Sequence, residues 1–258
     1  MKKGLSALVV AALLAGAGSA ALASPLTPDP GRGGKARKAA SGASCTARSY
    51  RGLRTTRYAY AAIVRRSARA YGRPDGRPFA SFERINVNGV STVFGVLGAV
   101  VDRHCRPLWY RVQLPLKPNG RLGYVRPWTV SLWPVRTRIV VDLSDRRVRL
   151  YRSGRPVLET RAAIGTTATP TPRGHYYVNQ RLVPSDPSGP FGPGAIGISA
   201  FSEVLTGWTQ GGPIAIHGTN RPYLIGGAVS NGCIRVRNDA LRRMFAAADA
   251  GTPVVIRA

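Results

Sequence analysis

The sequence predicts a mostly β fold with one or more short helices, arranged in two modules. Three observations point there. The 258 residues include 30 Gly and 20 Pro, a density of turn formers suited to many short strands. Apolar runs are short and separated by turn signals, and helical periodicity is well marked at one place near the end. Hydrophobic residues reach 44% and charged residues 19%, which excludes wholesale disorder and supplies a core.

The first element is an export signal over residues 1–23. Lys2 and Lys3 form its charged start, Leu5 to Ala17 its apolar run, and Ala21-Leu22-Ala23 its small-residue cleavage site. Ser24 then begins the mature chain. Residues 24–44 are rich in Pro, Gly, Ala, Ser and Lys/Arg without periodicity, which predicts a disordered basic tether. An exported protein of this kind belongs to the cell envelope, soluble or wall-associated, and its expected state is a monomer.

Residues 45–130 read as a small β module, with turns at Arg73-Pro74-Asp75-Gly76, Asn88-Gly89 and Pro118-Asn119-Gly120. Leu108-Trp109-Tyr110-Arg111-Val112, then Asn119-Gly120 and Gly123-Tyr124-Val125, resemble bacterial SH3-like barrels, which bind wall peptides or act as spacers. Around Trp133 to Arg136 a proline-bearing joint leads into a second module, residues 136–258. It opens on a hairpin: Ile139 to Leu143, a turn at Ser144-Asp145-Arg146, and Arg147 to Tyr151. Further strands are expected at Val157 to Thr160, Ala162 to Gly165, Tyr176 to Val178 and Ile214 to Ile216. A long Gly- and Pro-bearing loop, Pro184 to Gly197, is placed to frame a cleft. The helix has Asn238 as its cap, Leu241, Met244, Phe245 and Ala248 as its apolar stripe, and Gly251 as its stop. Pro253 to Ile256 closes the chain as a strand.

Charge narrows the partners. Lys and Arg number 38 against 11 Asp and Glu, a formal net charge of +27 that attracts polyanions. The basic residues are dispersed rather than gathered on a recognition helix or an aromatic-studded RNA motif, so nucleic acid is not expected as the partner. Anionic wall polymers and lipid are what an exported chain meets first.

Three cysteines in an oxidising compartment leave at least one unpaired within the chain. Cys45 and Cys105 both fall in the first module and suit a structural disulfide. Cys233 stands far downstream as a free thiol. It lies in Ser230-Asn231-Gly232-Cys233-Ile234-Arg235-Val236, sixteen residues beyond His217 in Ile214-Ala215-Ile216-His217-Gly218-Thr219-Asn220. Each segment ends an apolar stretch in a polar, glycine-bearing turn. A thiol attacks an amide carbonyl as thiolate, so it needs a neighbouring base, and His217 is the natural one. Gly232 permits a tight turn before the thiol, and the N–H groups of Gly232 and Cys233 are candidate oxyanion donors. In an extended chain Arg235 projects on the same side as Cys233, where it would lower the thiol pKa or hold a carboxylate. Each residue also has a plainer explanation, because a His after a strand is commonly structural and a lone Cys is commonly packing. Spacing alone leaves the pair open. His104 and His175 lack the second closely spaced pair of a zinc site, and no metal is expected.

The stretch from Ile139 to Ala258 resembles the L,D-transpeptidase catalytic domain, the YkuD-type fold. The resemblance rests on Ile139-Val140-Val141-Asp142-Leu143, Thr171-Pro172-Arg173-Gly174-His175-Tyr176, Ile216-His217-Gly218-Thr219, Ser230-Asn231-Gly232-Cys233-Ile234-Arg235 and Gly251-Thr252-Pro253-Val254, in that order. It implies a β-sandwich-like catalytic domain in which Cys233 attacks a peptidoglycan tetrapeptide stem. A thioester forms and is resolved by a neighbouring stem's amine, giving a 3→3 cross-link, or by water, giving carboxypeptidase activity. It also implies that the Gly218 carbonyl orients His217, that Ser230, Asn231, Thr219 and Tyr176 are candidates for stem binding or thiol tuning, that no cofactor is needed, and that carbapenems acylate the site. Many relatives carry His where this chain has Asn231. Two other readings compete: a non-catalytic wall-binding protein, and a papain-like wall endopeptidase, in which the nucleophile usually precedes its His and opens a helix.

Overall fold

The computed structural model describes residues 44–258. The export signal and the basic tether, up to residue 43, lie outside the described residues. The first strands are β1 (Ser49–Gly52), β2 (Ala59–Val64), β3 (Ser67–Tyr71), β4 (Pro78–Glu83), β5 (Val93–Val101), β6 (Pro107–Gln113), β7 (Leu122–Val125) and β8 (Val130–Val135). They form one sheet in the order β4-β3-β7-β6-β5-β2-β8, with β1 also paired to β5. At its centre β5 reads Val-Phe-Gly-Val-Leu-Gly-Ala-Val-Val and is buried on both faces, as a continuous apolar run requires. Cys45 and Cys105 are joined by a disulfide that ties the start of this sheet to the β5–β6 turn.

The segment expected as a proline-bearing joint is in fact largely strand β8. Its Pro134 pairs opposite Tyr60 of β2, and β8 is the sheet's last strand, so the missing N–H faces no further ladder.

The second sheet contains β9 (Thr137–Asp142), β10 (Arg147–Arg152), β11 (Arg155–Gly165), β12 (Gly174–Leu182), β13 (Ala195–Phe201), β14 (Pro213–His217), β15 (Ala228–Ser230), β16 (Ile234–Val236) and β17 (Pro253–Arg257). Its order is β10-β9-β17-β12-β13-β14-β16-β11-β15. The two strands expected at Val157 to Thr160 and Ala162 to Gly165 are one continuous strand, β11. Its first part pairs with β10 and its last with β16 and β15, so the sheet folds back onto itself. Inside lies a core of Ile139, Val141, Leu150, Tyr176, Ile196, Ile216, Ile234 and Ile256 among others.

The one α-helix, α1 (Asn238–Ala247), packs Leu241 and Met244 into that core, both wholly buried. Each such side chain contributes about 2 kcal/mol by leaving water. Two boundary expectations are corrected. Asn238 is the first helical residue and makes no capping bond, because its side chain is used elsewhere. The helix ends at Ala247, before Gly251, although Ala248 just past its end is buried as the stripe requires. The long loop ends at Gly194, since Ala195 to Gly197 already belong to β13.

The two sheets meet through specific bonds. Tyr177 Oη donates to the Val93 carbonyl at 3.0 Å, and Gln113 Nε2 donates to the His175 carbonyl at 2.8 Å. Asn119 exchanges two bonds with the Phe201 backbone, each 2.8 Å. Among the described residues no helix is long and apolar enough to cross a membrane.

Candidate active site

Strands β14 and β16 lie side by side in parallel, with Ile216 opposite Ile234 and His217 opposite Arg235. Both are short apolar strands with β-branched residues turned into the core, which fixes their register. The polar turn that ends β14 therefore lies beside the turn that precedes β16. A cleft of about 190 Å³ opens there, lined by His217, Cys233, Arg235, Asn231, Phe191 and Trp208 among others. The 183–194 loop supplies one aromatic wall: the Phe191 ring lies 4.9 Å from the His217 ring, centroid to centroid.

The turn before β16 is held by hydroxyl groups. Ser230 Oγ donates to the Cys233 carbonyl at 2.6 Å and accepts from the Gly232 N–H at 3.2 Å. Thr171 Oγ1 donates to the Gly232 carbonyl and Thr169 Oγ1 to the Ser230 carbonyl, both at 2.9 Å. Gly232 has φ +107°, in the left-handed region where a side chain is strained. Cys233 is the free cysteine among the described residues. Burial pushes its thiol pKa up, while the Ala215 backbone amide and the Arg235 charge act in the opposite direction.

His217 is 3% exposed, and its Nδ1 lies 2.6 Å from the Gly218 carbonyl. A carbonyl only accepts, so Nδ1 carries the proton and Nε2 is left as the acceptor. Burial lowers the His217 pKa to about 4; the Gly218 carbonyl opposes this and the Arg235 charge adds to it. At neutral pH both groups are therefore uncharged. Arg235 lines the same cleft, as strand alternation predicts, and its buried Nε has no hydrogen-bond partner among the described residues.

Cys233, His217, Gly218, Asn231 and Arg235 are thus gathered at one place. Three other candidates are not turned to the cleft. The Ser230 hydroxyl is spent on the turn before β16. Thr219 is buried, with its Oγ1 accepting from the Arg221 N–H at 3.0 Å. Tyr176 is a core residue whose hydroxyl donates to the Arg173 carbonyl at 2.9 Å; burial, then Glu203, raise its pKa to about 12. The Gly232 N–H, a candidate oxyanion donor, is occupied by Ser230. Sequence reasoning missed Phe191 and Trp208 as cleft walls, and it missed Thr171 and Thr169 as clamps, although Thr171 stands in a matched motif. Among the described residues no three His, Cys, Asp or Glu side chains come together as a metal site would need.

A half-buried thiol and an imidazole with one nitrogen committed, lining one cleft on a mostly β fold, define a site suited to nucleophilic acyl chemistry. Residues 136–256 match the model of the L,D-transpeptidase catalytic domain, YkuD. A Bacillus subtilis protein bearing the name L,D-transpeptidase YkuD is 32% identical over 134 residues, covering 52% of this chain and 71% of that protein. The protein of that name from Bacillus licheniformis is 39% identical over 119 residues, covering 46% of this chain and 64% of its relative's length, a little under two thirds. An Enterococcus faecium L,D-transpeptidase crystal structure overlays with a TM-score of 0.40 and 21% identity, over 67% of this chain and 72% of that one. The chain belongs to the L,D-transpeptidase family.

Proposed function

We propose that the protein is an exported peptidoglycan L,D-transpeptidase working through a thioester on Cys233. The observation that carries this reading is a free thiol that shares one cleft with Arg235 and with a buried histidine whose Nδ1 is already bonded to Gly218. His217 Nε2 takes the thiol proton as sulfur attacks the carbonyl joining an L- to a D-residue in a tetrapeptide stem. Both partners start neutral, so proton transfer accompanies attack instead of preceding it. The Cys233 N–H is the backbone donor next to the sulfur and faces the developing oxyanion, since Gly232 is held by Ser230. The imidazolium returns the proton to the departing D-residue amine. The side-chain amine of a diamino acid on a second stem then attacks the thioester, giving a 3→3 cross-link, or water attacks and the stem is trimmed. Arg235 holds a stem carboxylate, and the Phe191 and Trp208 rings limit access by water.

In this reading residues 136–258 are the catalytic domain. Residues 45–130 are an SH3-like module that docks on the wall or spaces the site from it, and the leader and basic tether deliver the chain to the envelope. The net charge of +27 draws it to anionic wall polymers. The test is mass analysis of muropeptides and of the protein itself. Wild-type protein should yield 3→3 cross-linked or trimmed stems and take up one carbapenem mass on the Cys233 peptide. Cys233→Ala should do neither; wild-type products from that variant overturn the reading.

A further inference from the structure

Asn238 begins α1, and an Asn before an apolar helical stripe ordinarily caps the helix by bonding its own first turn. Here it does not. Its Oδ1 accepts from the Thr219 N–H at 2.8 Å, nineteen residues back along the chain. That N–H belongs to the same peptide group as the Gly218 carbonyl, which is 2.6 Å from His217 Nδ1. One planar amide therefore joins the two side chains: Asn238 at its N–H end and His217 at its C=O end.

The slot for Asn238 is built for it. A Cβ at Gly218 or at Gly192 would run into Asn238 Oδ1, so both positions need glycine for the carboxamide to reach the peptide. Gly218 N–H also lies 3.4 Å from the Gly194 carbonyl, so the adjoining peptide is tied to the cleft loop. Behind Asn238, Ala240, Leu241 and Met244 anchor the helix in the core. Rigid helix, carboxamide, peptide plane and imidazole form one continuous support.

We propose that Asn238 is a positioning residue that sets the orientation and basicity of His217 through the Gly218–Thr219 peptide. An acceptor on the N–H of an amide polarises it and makes its carbonyl a better acceptor. The Gly218 oxygen then holds the Nδ1–H tautomer, keeps Nε2 free for the thiol proton and stabilises the imidazolium that follows. In Cys-His-Asn sites the asparagine touches the histidine directly; here one peptide group lies between them. The other groups facing His217 are Cys233 and Arg235 from the β16 side and the neutral Phe191 ring from the loop. Asp239, next to Asn238, is exposed and paired with Arg237.

The inference rests on His217 being the base, and the experiment separates the two. Full-length wild type, Asn238→Ala and Asn238→Asp are compared for the second-order rate of carbapenem acylation across pH, and for the His217 ring by nitrogen NMR. Asn238→Ala should slow acylation about tenfold, as loss of one well-placed hydrogen bond does, and NMR should show mixed ring tautomers. Asn238→Asp keeps an acceptor and adds a negative charge. It should recover rate over Asn238→Ala and move the acid limb to higher pH. If Asn238→Ala does not fold, the Asp variant's limb and NMR shift carry the test alone. Unchanged limb and ring signals in Asn238→Asp, or wild-type rate and tautomer in Asn238→Ala, overturn the inference. Failure of wild type to acylate at all sinks the base assignment instead, and the NMR readout still reports on Asn238.

Discussion

The N-terminal sheet and the cleft end of the C-terminal sheet use polar side chains in opposite ways. In the first, such groups satisfy one another: Cys45 is bonded to Cys105, Asp75 lies between Arg48 and Arg126, and Asp102 is bonded by its own turn and by Arg106. In the second, the adjacent ends of β14 and β16 bring the Cys233, His217 and Arg235 side chains to one cleft, and the buried Arg235 Nε has no hydrogen-bond partner among the described residues. The difference lies in what ties down the backbone. Around Cys233 the turn is held by Ser230, Thr169 and Thr171, and beside His217 the peptide is held by Asn238. With the backbone secured by hydroxyls and an amide, the reactive side chains do not have to secure it. Changes in the second sheet should therefore cost chemistry, and changes in the first should cost stability.

The largest expected effect comes from removing His217, the base of the proposed mechanism. His217→Ala should slow carbapenem acylation of Cys233 by about 10² to 10⁴, the usual worth of general-base help, with the thiol still free by alkylation. Wild-type rates in that variant would make His217 a structural residue and erase the contrast. The same side chain fixes a pH dependence. Because its folded pKa is about 4 against 6.5 for the free side chain, the unfolded chain binds the extra proton between those values. Its contribution to stability is therefore complete above pH 6.5 and is lost as pH falls through about 4, up to about 3 kcal/mol. Subtracting the melting profile of His217→Gln from that of wild type isolates the effect, and the acid limb of acylation should lie near 4, not near 6.5.

Second in size is a change confined to the first sheet. Replacing Cys45 and Cys105 by Ser opens a closure spanning 60 residues of chain, for which the loss is about 2 to 4 kcal/mol. Denaturant unfolding should show that loss, while the acylation rate of Cys233 at 25 °C stays at its wild-type value. A parallel drop in acylation would mean that the bonds between the sheets, such as Tyr177 to Val93, carry the first sheet's disorder into the cleft.

Much of this division was legible in the sequence. The hairpin at Ile139 to Tyr151 and the strand at Ile214 to Ile216 follow from alternation and turn chemistry, which are local. Arg235 on the face of Cys233 follows from the two-residue period of a strand. What was hidden depends on neighbours distant in sequence. Asn238 ahead of a helical stripe reads as a cap, and only the fold brings Thr219 within its reach. Trp133 to Arg136 reads as a joint because proline breaks a strand unless that strand is an edge. Ala195 to Gly197 continued a Gly-rich loop in the sequence and became strand because His217 and Ala215 pair across from it. Thr219 and Tyr176 stand in motifs that resemble the family's, but a motif does not say which way a side chain points.

The smallest effect is expected at Asn231, and it tests how finely the cleft separates support from chemistry. Asn231 is exposed on the cleft rim, whereas the turn around it is held by its neighbours: Ser230 takes the Gly232 N–H, and Thr171 takes the Gly232 carbonyl. Asn231→His removes none of these bonds. Acylation at pH 8 should stay within about threefold of wild type, the range of an exposed substitution. Below about pH 6.5 the new imidazole gains charge beside Arg235 and His217. A cation there opposes protonation of His217, so the acid limb near 4 should hold or move lower, with a second, shallow inflection near 6.5. A limb that moved upward would mean that the new ring had taken over the proton from Cys233. His217 would then be one of two bases, and the variant would stay active when His217 is also replaced by Ala. Loss of all acylation with the fold intact would instead give the Asn231 carboxamide a direct part in holding the substrate.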